Sequence, residues 1–123
     1  MLEIADIFIM DVGGQIEHRD TKHCVCIAAS QNKFFVINTQ HRTMYDDFMI
    51  SAADYDFLKG QDRFVCCSAV YKIPTNKIIR KVGKLKYADM LKLIDKIQNS
   101  VILDNTEKSA IIPELTEWQL DNS

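Results

Sequence analysis

Residues 34–42 read Phe34-Phe35-Val36-Ile37-Asn38-Thr39-Gln40-His41-Arg42. Four apolar residues run straight into five that carry hydrogen-bonding side chains. A short continuous apolar run with no helical spacing and a polar exit describes a buried strand that ends at a surface. Residues 38–42 then form the rim of a site, on a rigid element that can aim side chains. Upstream, Cys24-Val25-Cys26-Ile27-Ala28-Ala29 reads as a second buried strand. The polar segment Ser30-Gln31-Asn32-Lys33 between them is short enough to close a hairpin.

Working outward, further strands fall at residues 7–10, 48–50, 63–71 and 77–82. Gly13-Gly14 ends the first, residues 15–23 are a polar loop, Pro74-Thr75-Asn76 is a turn, and Gly83 closes the last. Helical spacing occurs once with force: Tyr87, Met90, Leu91, Ile94, Ile97 and Val101 form one stripe, giving a helix over about 86–102 without a good N-cap. Beyond residue 104, Pro113 interrupts any helix, so the tail is marginal structure with Ile111, Leu115 and Trp118 free to dock. The expected fold is mainly β (α+β): a small, strongly curved sheet or SH3-like barrel carrying a C-terminal amphipathic helix. Residues 1–103 are one domain and residues 104–123 an acidic tail.

The totals exclude some functions. The chain has 123 residues, 47% of them hydrophobic and 26% charged, an ordinary globular composition. No apolar run approaches the roughly 20 residues that span a bilayer, and acids near Met1 argue against a signal peptide, so a cytoplasmic protein is expected. Cys66 and Cys67 are strand neighbours pointing to opposite faces, and Cys24 and Cys26 lack the spacing of a zinc site. The four thiols read as reduced and buried, with no metal or cofactor. The net charge of −2 is unevenly placed: five acids against Lys108 put −4 on residues 104–123 and leave +2 on the body.

Two constellations carry chemistry. Lys72, Lys77, Arg80, Lys81 and Lys84 form a basic stretch with no acid between Ala69 and Ala88, and His23, His41 and Arg42 add to it. Clustered cations are the footprint of phosphate binding, and equally of a solvated basic face. The second is a hydroxyl near cations: Thr39 with Lys22 and Arg19. In RNA cleavage the 2′-hydroxyl is the nucleophile, so the protein need only place the phosphate, move protons and stabilise charge. The bland alternative is a strand-end threonine with surface histidines.

The order of elements resembles the PemK/MazF family of toxin endoribonucleases, which are small barrels ending in a helix. Ile37-Asn38-Thr39-Gln40-His41-Arg42, followed by Asp47-Phe48-Met49-Ile50, is similar to the family's third strand and the Phe-containing strand after it. Arg80-Lys81-Val82-Gly83-Lys84-Leu85 and the helix beyond resemble its closing pattern. The resemblance covers residues 4–103. It implies a metal-independent endoribonuclease acting on single-stranded RNA, with Thr39 as the catalytic hydroxyl and Lys22, with Arg19 nearby, at the catalytic arginine's place. It also implies a homodimer and an antitoxin or other protein partner. Lys22-His23 replaces the family's Arg-Pro, and Glu17-His18 its acidic–Gln pair. The alternative is a non-catalytic barrel that binds a protein or nucleic acid, such as a phage- or mobile-element-encoded modulator of host machinery.

Overall fold

The computed structural model describes residues 1–16 and 18–123. Seven strands precede two helices: β1 Asp6–Asp11, β2 Thr21–Ala28, β3 Lys33–Asn38, β4 Phe48–Ile50, β5 Arg63–Val65, β6 Tyr71–Lys72, β7 Ile78–Lys84, α1 Tyr87–Asn99 and α2 Asn105–Asn122. The strands form one antiparallel sheet in the order β4-β5-β3-β2-β1-β7, with β6 paired to β3. The apolar run of β3 therefore lies in the middle, as its two-sided burial requires.

That burial divides the interior into two clusters, one on each face. Ile7, Val25, Ile27, Phe35, Ile37 and Val65 point toward the helices. Phe8, Met10, Cys24, Cys26, Phe34 and Val36 point into the opposite concavity, which Ile73 and Tyr71 help to fill. Adjacent Phe34 and Phe35 thus serve different cores, and Cys66 and Cys67 divide the same way. Strand alternation gives this partition directly.

The sheet is unclosed, because β4 and β7, its two ends, share no ladder. The β4–β5 connector spans the gap instead: a Cβ on Gly83 of β7 would lie 3.5 Å from the Phe57 ring. Gly83 sits inside β7, opposite Ile7, rather than ending it. The long strand expected over 63–71 breaks after Val65, where Cys66 N–H donates to the Val36 carbonyl and Cys67 N–H to that of Tyr45.

Helix α1 buries Met90, Leu93, Ile94 and Ile97, whereas Leu91 is exposed and Val101 lies beyond the helix end. Its first turn has no side-chain cap on Lys86. Tyr55 holds it instead: its hydroxyl accepts from Lys86 N–H at 2.9 Å and donates to Asp89 at 2.5 Å. The tail beyond residue 104 is a full helix, not marginal structure. Asp104 caps it by accepting from Thr106 N–H, and Ile111 and Leu115 are buried against the sheet and α1. Pro113 removes one helical hydrogen bond, and Gln31 donates to the nearby Ala110 carbonyl at 2.7 Å. The helix is further tied to the β2–β3 turn by Ser30 and Gln31 on Glu114 and by Lys33 on Glu107. Among the described residues no helix is long and apolar enough to cross a membrane.

Candidate functional site

The polar end of β3 meets the first turns of β2. Thr21, Lys22 and His23 look like loop residues by composition, yet they pair with Asp11, Met10 and Ile9 of β1. They are polar because the strand leaves the core there. Lys22 and His23 consequently sit on a rigid element, beside Asn38 and Ile37 of β3.

A cleft of about 680 Å³ opens at this corner, lined by Arg19, Lys22, Asn38, Thr39, Arg42 and Tyr45 among others. A smaller one of about 350 Å³ lies beside it, sharing Arg19, Lys22 and Thr39 and adding His23, Ile37 and Arg63. The structure thus brings Thr39, Lys22 and Arg19 to one concave surface. Thr39 is the first residue past β3, exposed, and its hydroxyl has no hydrogen-bond partner among the described residues. The Lys22 ammonium is half-buried and donates to Asn38 Oδ1 at 2.5 Å, which fixes its position. Burial first, and then the charge of Arg19, hold its pKa below the ordinary 10.5. Arg19 is exposed, its guanidinium donating to the His18 carbonyl at 3.2 Å. The loop that carries it is pinned by Val12 N–H on the Asp20 carbonyl, and Glu17 lies outside the described residues.

The remaining expected residues divide. Arg42 lines the larger cleft, and its backbone N–H donates to buried Asp47 at 2.9 Å. His41 lies on the other side of that corner, its Nδ1 2.5 Å from Asp47 Oδ1 and its ring against Phe64, so it lines neither cleft. His23 lies in the smaller cleft with its ring stacked on Phe57 at 5.5 Å. Burial, then Arg63, Arg80 and Lys22, hold its pKa below the ordinary 6.5, leaving the ring neutral at pH 7.

The basic stretch lies away from the larger cleft, mostly along β7. No acid is near it in sequence, but β1 and the N-terminal residues supply several in space. Lys81 pairs with Asp6 at 3.0 Å, Lys84 with Glu3 at 2.9 Å and Lys77 with Asp11 at 3.9 Å. Lys72 and Arg80 have no ion pair among the described residues; the Lys72 carbonyl accepts from Gln15. A lysine already facing a carboxylate attracts phosphate less than a bare one does.

Tyr45, Ser68, Tyr71 and Arg63 line the clefts without having been singled out from the sequence. Arg63 carried a readable signal: it stands two residues before Val65, on the same face of a strand. Tyr71 carried none, since only the break in the strand after Val65 brings its segment over the cleft, and Tyr45 lies in the connector between β3 and β4. Burial pushes Cys24 and Cys26 up to about 12 and raises Cys67 as well, so none of these three supplies a thiolate near pH 7.

The backbone path is shared with known proteins although the sequence is not. A Mycobacterium tuberculosis toxin, MazF-mt6, superposes with a TM-score of 0.59 at 20% identity, over 80% of this chain and 98% of that one. The fold is that of the MazF toxins. A mycobacterial endoribonuclease solved in complex with its cognate antitoxin superposes equally well, TM-score 0.59 at 12% identity, over 78% of this chain and 90% of the other. No family model matches the sequence, and no curated protein does either. At such identities the MazF fold fixes where strands run, while the chemistry of the corner rests on the residues described above.

Proposed function

We propose that this chain is a MazF-like endoribonuclease toxin that cleaves single-stranded RNA without a metal ion. The observation carrying this reading is the convergence of a bare Thr39 hydroxyl, the fixed Lys22 ammonium and the Arg19 guanidinium on one open cleft. The substrate supplies its own nucleophile. The ribose 2′-oxygen attacks the adjacent phosphorus, its proton passes to a base, and the 5′-oxygen leaves and takes up a proton. The products are a 2′,3′-cyclic phosphate and a 5′-hydroxyl.

Lys22 and Arg19 face the non-bridging oxygens as charge builds on them, and Thr39 donates a hydrogen bond to one of these oxygens. His23, neutral at pH 7, lines the RNA path on the Thr39 side of the sheet. Arg42, at the rim of the same cleft, holds the flanking phosphate. The neighbour solved with its antitoxin supports a protein antitoxin as partner. A homodimer formed through the sheets and a cytoplasmic location complete the proposal.

The test is incubation of purified protein with single-stranded RNA in excess chelator. Cleavage ending in cyclic phosphate, lost in Thr39→Ala, is expected; intact RNA with the wild-type protein would refute the enzyme. One observation favours the second reading, a binding module without turnover: Lys22 is a point charge where a guanidinium would clamp phosphate with two bonds. RNA binding without any cleavage by the wild type would select it.

A further inference from the structure

The unassigned feature is a second groove, on the helix side of the sheet. Strand register generates it. Ile37 faces Val65 and Asn38 faces Phe64, so the same pairing carried one step further sets Thr39 across from Arg63. One row deeper, Arg80, Ile9, His23 and Ile37 lie side by side across four strands and share a face. The smaller cleft at Thr39 therefore opens into a groove of about 570 Å³ lined by His23, Phe57, Lys59, Arg63, Arg80 and Lys81, with Asp56 its one acid among the described residues.

The charges here differ from those elsewhere on β7. Lys77, Lys81 and Lys84 each have a carboxylate nearby, whereas neither Arg63 nor Arg80 has one within ion-pair distance among the described residues. Arg63 is half-buried and its Nε is buried without a hydrogen-bond partner. A buried donor with nothing to bond is destabilising, which is relieved when a ligand oxygen reaches it. His23 and Phe57, stacked at an interplanar angle of 28°, give the floor between the two arginines an aromatic shelf. Two unpaired cations flanking a neutral aromatic shelf match an unpaired nucleotide with a phosphate on each side.

We propose that this groove holds the RNA on one side of the cleaved bond: Arg63 and Arg80 bind phosphates and the Phe57–His23 pair stacks a base between them. The inference rests on the RNA-cleavage reading of the Thr39 corner. Substrate then crosses the end of the sheet at Thr39, with one flank in the larger cleft and the other in this groove.

The experiment measures binding by fluorescence anisotropy, with a single-stranded RNA of about ten nucleotides and full-length Thr39→Ala protein so that nothing is cut. Adding R63Q and R80Q together is expected to weaken binding about tenfold or more, and to lower the slope of log K against log salt by about 1.4, the value for two phosphate contacts on a single strand. F57L, which keeps every charge, is expected to weaken binding with the slope unchanged. K92Q/K96Q on α1, carrying the same charge change, is the control. If R63Q disturbs folding by circular dichroism, R80Q alone, at an exposed position, is expected to lower the slope by about 0.7. Unchanged affinity and slope for R63Q/R80Q, or for R80Q in that case, would overturn the groove. So would an equal fall for K92Q/K96Q. Wild-type cleavage of the same RNA, scored separately, tests the corner and not the groove.

Discussion

Replacing Lys22 by Met separates two roles that the structure assigns to one side chain. The ammonium's direct partner is Asn38 Oδ1, and a hydrogen bond to a charged group contributes about 1.5–3 kcal/mol. Against that stands the cost of holding a half-buried ammonium beside Arg19, the same effect that draws its pKa down. Methionine keeps the stem's packing and removes that cost, while Asn38, half-exposed, turns to water. The two contributions offset to within about 1 kcal/mol, so Tm should move by no more than about 5 °C. Cleavage behaves differently, because loss of one preorganised group facing a developing oxyanion raises the barrier by about 2.7–4 kcal/mol, a factor of 10² to 10³. Single-turnover cleavage of a labelled RNA and a thermal melt of the same preparation read both quantities. Lys22→Arg should keep most of the rate, since the charge remains and gains a second donor. K22M that cuts at the wild-type rate, or that loses rate only in step with unfolding, would refute the argument.

His23→Phe should flatten the acid limb of the stability curve. In the wild type, folding holds this imidazole below its ordinary 6.5, so the unfolded chain binds the extra proton and stability falls as pH drops through about 6.5 and below; comparing Tm at pH 5 and pH 8 for both proteins checks the sign. Ile111→Ala, at a fully buried position where α2 meets the sheet, should cost about 2–5 kcal/mol in urea unfolding, and a helix that merely rests on the surface would lose far less. Tyr55→Phe removes the hydroxyl that joins Asp89 to Lys86 N–H and leaves a buried carboxylate short of a donor, a loss of about 1–3 kcal/mol by denaturant titration.

The middle of the sheet was legible because β3 is apolar on both faces and bounded by polar residues, a pattern only a central strand satisfies. The start of β2 was not, since Thr21-Lys22-His23 pair through their backbones while their side chains look like a loop. The mainly β architecture with a late helix follows from those runs; the unclosed edge follows from Phe57 against Gly83, a contact between segments with no local signature. Helix α2 was not legible because Pro113 reads as a helix breaker, whereas the residues that hold the helix, Ser30, Gln31 and Lys33, reach it from the β2–β3 turn. At the corner, the segment holding Thr39 announced itself as a polar exit from an apolar run. The pairing of Lys77, Lys81 and Lys84 could not be read, because Glu3, Asp6 and Asp11 reach them only in space, through the β1–β7 pairing. Arg63 stood in a segment that reads as ordinary strand, and only its place two residues before Val65 marked which face it shares.

An unfinished sheet has to defend its outer margin. β7 presents free backbone donors and acceptors on the side away from β1, the kind of template on which a foreign strand could add and begin a fibril. Lysines and an arginine spaced along it make that addition unfavourable. The same side chains that looked like a grip for nucleic acid thus also act as guards against self-association, and stripping them to neutral residues should cost solubility.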